Sequence, residues 1–169
     1  MNIRPAGTAD VAALVSLVNS AYRGEGSKKG WTTEADLLDG TRTDETNIIE
    51  LMNDANAIIL KCANEEDKII GSVYLQEQNG KLYLGMLSVS PDLQGTGIGK
   101  RLMAAADEYA RRNNCKSIFI TVISVRHELI EWYERHGYRK TGERKAFPIG
   151  EKFGIQKQPL ELIVLEKKV

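Results

Sequence analysis

Apolar and polar positions alternate in two different rhythms along this chain, and the change of rhythm marks its elements. Residues 2–5 read as a short opening strand. Val11, Leu14, Val15, Val18 and Tyr22 then recur at helical spacing, with Thr8 or Asp10 placed to cap the helix and Gly24 to end it. From Arg23 to Asn47 the chain is polar and interrupted by Gly24, Gly26, Gly30 and Gly40. Within it, Thr33 is predicted to cap a short helix that carries Leu37 and Leu38 and stops at Gly40. A further helix is predicted from Thr46 through Ile48, Ile49, Leu51 and Met52. Three strand-like runs follow, at 57–63, 68–76 and 81–89. A polar loop at 64–67 joins the first two, and the pair Asn79-Gly80, a strong hairpin signal, joins the last two.

After Pro91 the period returns to helical, with Leu102, Met103, Ala106, Tyr109 and Ala110 on one face and a stop at Asn113-Asn114. A buried strand is predicted at 117–122, a second helix at 128–136 ended by Gly137, and strands at 138–141 and 160–166. The segment 81–122 is therefore strand, crossover helix, strand, which requires a parallel pair. An antiparallel meander feeding one parallel crossover predicts an α/β fold: a mixed, mostly antiparallel central sheet with helices on both faces. With 169 residues and no interdomain linker, one domain over 1–169 is expected.

Composition narrows the function by exclusion. Lysine plus arginine and aspartate plus glutamate are equal in number, so the formal net charge is zero. That removes the long-range electrostatic case for a nucleic-acid or membrane partner. Cys62 and Cys115 sit beside apolar runs with no ligand-like spacing, which reads as core packing without a disulfide or metal site. The N-terminal residues lack a signal-peptide layout, and no apolar run reaches membrane-spanning length, so a cytoplasmic location is expected.

Chemistry concentrates in the turn Gln94-Gly95-Thr96-Gly97-Ile98-Gly99-Lys100, between a predicted strand and helix. Such a turn presents unpaired backbone N–H groups at the positive end of a helix dipole, a ready phosphate site. Two nucleotide motifs fail here. The dinucleotide fingerprint would place a glycine at Lys100 or Leu102, and the phosphate loop of nucleotide hydrolases needs glycine at Gln94 and Ser or Thr at Arg101. The pattern Gln-x-x-Gly-x-Gly at Gln94, Gly97 and Gly99 instead resembles the acetyl-CoA-binding signature of the GCN5-related N-acetyltransferase (GNAT) family. Leu87 to Pro91 precede the turn at the family's spacing. Trp132, Tyr133, Gly137 and Tyr138 resemble its second signature, and the resemblance covers about residues 57–142 well.

The resemblance implies acetyl-CoA as co-substrate and transfer of its acetyl group to a primary amine. It carries the proton-donor role to Tyr133 and the carbonyl-polarising backbone N–H to Leu87, with Val89 pairing to the pantetheine arm. Cofactor contacts are implied for Leu87, Ser88, Val89, Gln94, Gly95, Thr96, Gly97, Ile98, Gly99 and Lys100. Many members carry Asn and Ala where this chain has Arg126 and Leu129. Arg126 is left with two readings, a phosphate contact or a solvated cation. No acidic residue lies within 82–89, so the sequence names no general base, and His127 and His136 read as surface residues at the ends of a helix. In the family the acceptor pocket is built by the segment after the first helix and by the C-terminal part. Trp31, Glu34 and Arg42 are the substrate candidates in the former, Glu34 for an ammonium and Arg42 for a carboxylate. Phe147, Phe153 and Gly154 are candidates for a second pocket wall or a dimer contact. A small-molecule acceptor and a possible homodimer are expected. A peptide or protein acceptor, or a CoA-binding sensor without turnover, are the alternatives.

Overall fold

The computed structural model describes residues 1–23, 25–148 and 154–169. In chain order its main elements are β1 (Asn2–Pro5), α1 (Val11–Tyr22), β2 (Leu38–Asp39), α2 (Glu45–Met52), β3 (Ala57–Ala63), β4 (Ile69–Gln78), β5 (Lys81–Val89), α3 (Ile98–Arg112), β6 (Ser117–Ile123), α4 (His127–Arg135), β7 (Arg139–Ala146), β8 (Ile155–Gln156) and β9 (Glu161–Lys168). Short 3-10 turns precede α1 at Thr8–Asp10 and follow it at Glu25–Lys29. Gly24 and Phe153, read from the sequence as a helix stop and a pocket residue, lie outside the described residues.

Seven strands form one sheet in the order β1-β3-β4-β5-β6-β9-β7. Every neighbouring pair is antiparallel except β5 and β6, which run parallel across the α3 crossover as expected. Alternation along the strands splits the core. Val73 and Leu75 pack with Leu102, Ala106 and Ile130 of α3 and α4, while Ile59 and Tyr74 pack with Val11, Leu14 and Ile48 of α1 and α2. Helices therefore cover both faces. One closely fitted contact is Gly71: a Cβ there would lie 2.8 Å from Ile98 Cγ2 and 3.3 Å from the Ser88 carbonyl oxygen, so its lack of a side chain lets α3 sit directly on β4 and β5.

Three expectations are corrected. The helix predicted from Thr33 to Gly40 is absent. Leu38–Asp39 instead pairs antiparallel with Ile155–Gln156, and Lys157 donates its amide hydrogen to the Leu37 carbonyl. The amides of Leu37 and Leu38 do close a turn onto the Glu34 carbonyl, but Lys157 takes the Leu37 carbonyl and the turn does not continue as a helix. α2 starts at Glu45, one residue before the predicted start at Thr46, and its cap is Asp44, whose carboxylate accepts from the Asn47 amide at 2.8 Å. Strand β7 runs to Ala146, beyond the 138–141 predicted. It is the sheet edge with every residue exposed, so it shows no alternation to read, and its arginines and lysines suit an unpaired edge.

Candidate active site

The site grows from a defect in the sheet. β5 and β6 pair only at Leu82–Ile118 and Tyr83–Phe119, and beyond Tyr83 they separate. On its other side β5 shifts register against β4 between Ser72 and Tyr74, where Met86 takes a φ of +48°. A methionine in that left-handed conformation marks a bulge, and bulges re-aim the residues that follow. Past it, Ser90 donates its amide hydrogen to the Ile70 carbonyl at 2.9 Å, so the polar groups of even-numbered residues face β4. Alternation turns the N–H and C=O of Leu87 and Val89 toward the gap. Both gap-facing carbonyls are taken: the Tyr22 hydroxyl donates to Leu87, and Gln94 Nε2 donates to Val89 at 3.1 Å. The two N–H groups are left facing the opening.

A first cavity of about 470 Å³ runs from this gap to the glycine turn, lined by Leu87, Val89, Gln94, Gly95, Gly97 and the first turn of α3. Gly97 is the N-cap of α3 at a φ of +91°, and Gly95 has a φ of +86°. Two left-handed glycines on either side of Thr96 turn the chain sharply into the helix. Because the cap has no side chain, the first-turn amides stay uncapped and point outward. That combination is an anion cradle with the helix dipole behind it. Trp132 forms the opposite wall, its ring 5.9 Å from Trp31 and 4.3 Å from His136, whose Nδ1 lies 2.7 Å from the Trp132 carbonyl oxygen.

A second cavity of about 440 Å³ lies on the other side of the gap, and Tyr22, Leu87, Leu129 and Tyr133 line both. Tyr133 is 6% exposed and packs edge-on against Trp132 and Tyr138. Burial, with the neighbouring Tyr22 and Tyr138 adding to it, pushes its pKa well above the ordinary tyrosine value. Its hydroxyl thus keeps its proton throughout the neutral and mildly alkaline range. Tyr22 is likewise pushed up to about 12 by burial and by Glu34.

Charge in the second cavity is asymmetric. Glu34 is buried, and its two oxygens face Arg23 at 3.0 Å and Arg126 at 3.5 Å. Arg23 also donates to the Thr41 carbonyl at 3.1 Å and Arg126 to the Thr32 carbonyl at 2.6 Å. Burial lowers the Arg23 pKa, opposed by Glu34 and assisted by the charge of Arg42. Arg42 has no side-chain hydrogen bond or ion pair with a described residue. Its backbone is nonetheless fixed, since Asn19 Oδ1 accepts from the Arg42 and Thr43 amides at 2.7 and 3.0 Å.

The family model of the Acetyltransferase (GNAT) family matches residues 11–138. The chain belongs to the GNAT acetyltransferase family. Among curated relatives it is 28% identical over 90 residues to acetyltransferase Atu2258 of Agrobacterium fabrum, covering 53% of this chain and 64% of the relative. It is 30% identical over 146 residues to the uncharacterized N-acetyltransferase YhfO of Bacillus subtilis, covering 83% of this chain and 91% of that one. The chain thus spans less than two thirds of the length of the first of these relatives. In three dimensions it superimposes on a ribosomal-protein-alanine N-acetyltransferase from Brucella melitensis with a TM-score of 0.73 at 22% identity, covering all of both chains. That likeness is one of fold. No helix among the described residues is long and apolar enough to cross a membrane.

Within this GNAT chain, most residues expected at the cofactor do line the first cavity: Leu87, Val89, Gln94, Gly95, Gly97, Ile98, Gly99 and Lys100. Ser88 does not, being 1% exposed with its hydroxyl donating to the Met86 carbonyl, nor does Thr96, whose hydroxyl donates to the Leu93 carbonyl. Three placements differ from the sequence reading. Arg126 is neither at the first cavity nor solvated. It is buried in the wall of the second, because the Glu34 carboxylate and Thr32 carbonyl draw it inward. Trp31 lines the first cavity against Trp132 and not the second. Glu34 lines the second cavity as expected, but two guanidiniums occupy the carboxylate that was read as an ammonium site. Arg42, Phe147 and Gly154 also line the second cavity, and His127 is exposed. The sequence reading missed Tyr22 and Arg23. Tyr22 was read as the last apolar position of α1, and its period gave no sign that its hydroxyl reaches Leu87.

Proposed function

We propose that this chain transfers the acetyl group of acetyl-CoA to a primary amine of a small molecule, with both substrates held at once. The observation that carries the reading is the meeting of two cavities at Leu87 and Tyr133. The residues fit CoA: the uncapped amides of α3 suit its phosphates, and the gap-facing N–H groups of Leu87 and Val89 suit its amide-bearing arm. When bound, acetyl-CoA supplies an acetyl group activated as a thioester. The rest falls to the protein. The Leu87 N–H is a fixed donor for charge developing on a carbonyl oxygen, a contribution of a few kcal/mol (about 3–4 where such a donor has been removed). Tyr133 holds a proton at the junction of the cavities, available to a departing sulfur. An N–C bond is made and a C–S bond broken. The amine's proton leaves to solvent, Tyr133 supplies the one the thiol keeps, and solvent returns a proton to Tyr133. The second cavity has the volume of a small-molecule site, which favours a small acceptor over a protein.

The test is thiol release from acetyl-CoA against a panel of amino acids, polyamines, aminoglycosides and peptides, run beside thermal unfolding with and without acetyl-CoA. Binding to the native state alone must raise the apparent melting temperature. Stabilisation plus thiol release with a small amine is expected. Stabilisation without release for any amine would leave a CoA-binding sensor, and no stabilisation would refute the cofactor assignment.

A further inference from the structure

Among the described residues lining the second cavity, three guanidiniums stand against one carboxylate. The carboxylate of Glu34 is not available to an incoming group, because Arg23 and Arg126 hold it from two sides. Those two arginines are in turn committed to Glu34 and to the Thr41 and Thr32 carbonyls. Arg42 differs. It lines the same cavity, its guanidinium has no hydrogen-bonding or ion-pairing partner among the described residues, and Asn19 clamps the backbone that carries it. A half-buried arginine on a fixed backbone, facing a cavity with surplus positive charge, is arranged to receive an anion in a bidentate contact.

Building on the transfer reading above, we infer that the acceptor is an amine that also carries a carboxylate, as an amino acid does, with the Arg42 guanidinium binding that carboxylate while the amine faces Leu87 and Tyr133. A polyamine fits poorly, since each added ammonium would meet Arg23, Arg42 and Arg126 with no open carboxylate among the described lining residues to pair with. The carboxylate satisfies Arg42 and offsets the cavity's charge. Arg42 is a binding residue in this scheme, not a catalytic one.

The experiment compares matched probes: the twenty amino acids, their carboxamides, and spermidine, each with saturating acetyl-CoA. Wild type is expected to turn over at least one amino acid, with a KM about 10- to 100-fold lower than for its carboxamide. Arg42→Ala is expected to raise the KM of the acid by that factor while leaving the carboxamide unchanged, and Arg42→Lys to recover part of the difference. Equal effects of Arg42→Ala on acid and amide, or preferred turnover of spermidine, would overturn the inference. Calorimetric titration of the same probes into the CoA-loaded protein separates it from the transfer reading. Amino-acid binding that Arg42→Ala abolishes, without thiol release, would uphold the anion site and refute transfer. Failure of every amino acid to bind would overturn the anion site alone.

Discussion

Gln94 lies in the glycine turn, yet its side chain spends most of its bonds on a segment more than sixty residues away. Its Oε1 accepts from the Trp31 amide at 2.8 Å and the Thr32 amide at 3.4 Å, and its Nε2 donates to Thr32 Oγ1 at 2.8 Å and to the Val89 carbonyl at 3.1 Å. The fit is close enough that a Cβ on Gly30 would lie 2.3 Å from Oε1. Gln94→Ala removes all four bonds, three of them to Trp31 and Thr32. At a net 0.5–1.5 kcal/mol each, the tether of Trp31 and Thr32 should weaken by roughly 2–4 kcal/mol. Hydrogen exchange reads this directly: the Trp31 amide should exchange roughly 30- to 700-fold faster, while amides in the centre of β4 keep their protection. Trp31 walls the first cavity and Thr32 holds Arg126 in the second, so affinity for both substrates should fall together. Gln94→Glu keeps the acceptor but loses the donors, and should fall between alanine and wild type. Unchanged Trp31 exchange in Gln94→Ala, or loss of acetyl-CoA affinity alone, would show that Gln94 does not tether the segment.

Tyr133→Phe should lower kcat while sparing acetyl-CoA affinity, and because burial raises the Tyr133 pKa, wild type should show no falling alkaline limb up to about pH 10. Unchanged kcat in Tyr133→Phe would refute its role as the acid, and a limb below that pH which the variant abolishes would show that its pKa is not raised. Glu34→Gln leaves Arg23 and Arg126 buried without their shared carboxylate, and should destabilise the fold by about 3–5 kcal/mol in denaturant titration; a loss under 1 kcal/mol would mean the cluster is not structural. Burial alone would raise the pKa of Asp10, but the Gly7 amide and the Lys61 ammonium, each at 2.8 Å, hold it below the ordinary value. Because the unfolded chain then binds the proton more readily, this pair's stabilisation is present above about pH 4 and lost as pH falls through the lower folded value. Asp10→Asn should therefore cost about 1–2 kcal/mol at pH 7, narrowing below pH 4, and a pH-independent difference would argue against the pair.

The sequence by itself determined what is local. Strands β3, β5 and β6, the crossover helix α3 and the turn from Gln94 to Lys100 were legible because side-chain period, turn chemistry and cap position are set by residues a few places apart. The parallel pairing of β5 with β6 followed from the crossover between them. Tertiary structure decided the rest. No period announces that β5 and β6 part after Tyr83, because the separation depends on a bulge and on how two faces of the sheet are filled. Glu34 and Arg126 are 92 positions apart, and only folding brings a buried carboxylate to a cation that looked equally suited to a phosphate or to water. The same holds for residues 25–42, where polar composition predicted a loop and a helix while pairing to Ile155–Gln156 and bonds to Gln94 and Asn19 set the course. The glycine turn is a local motif and could be read. The charges of the second cavity come from distant segments, and only their packing shows which arginine side chain has no partner among the described residues.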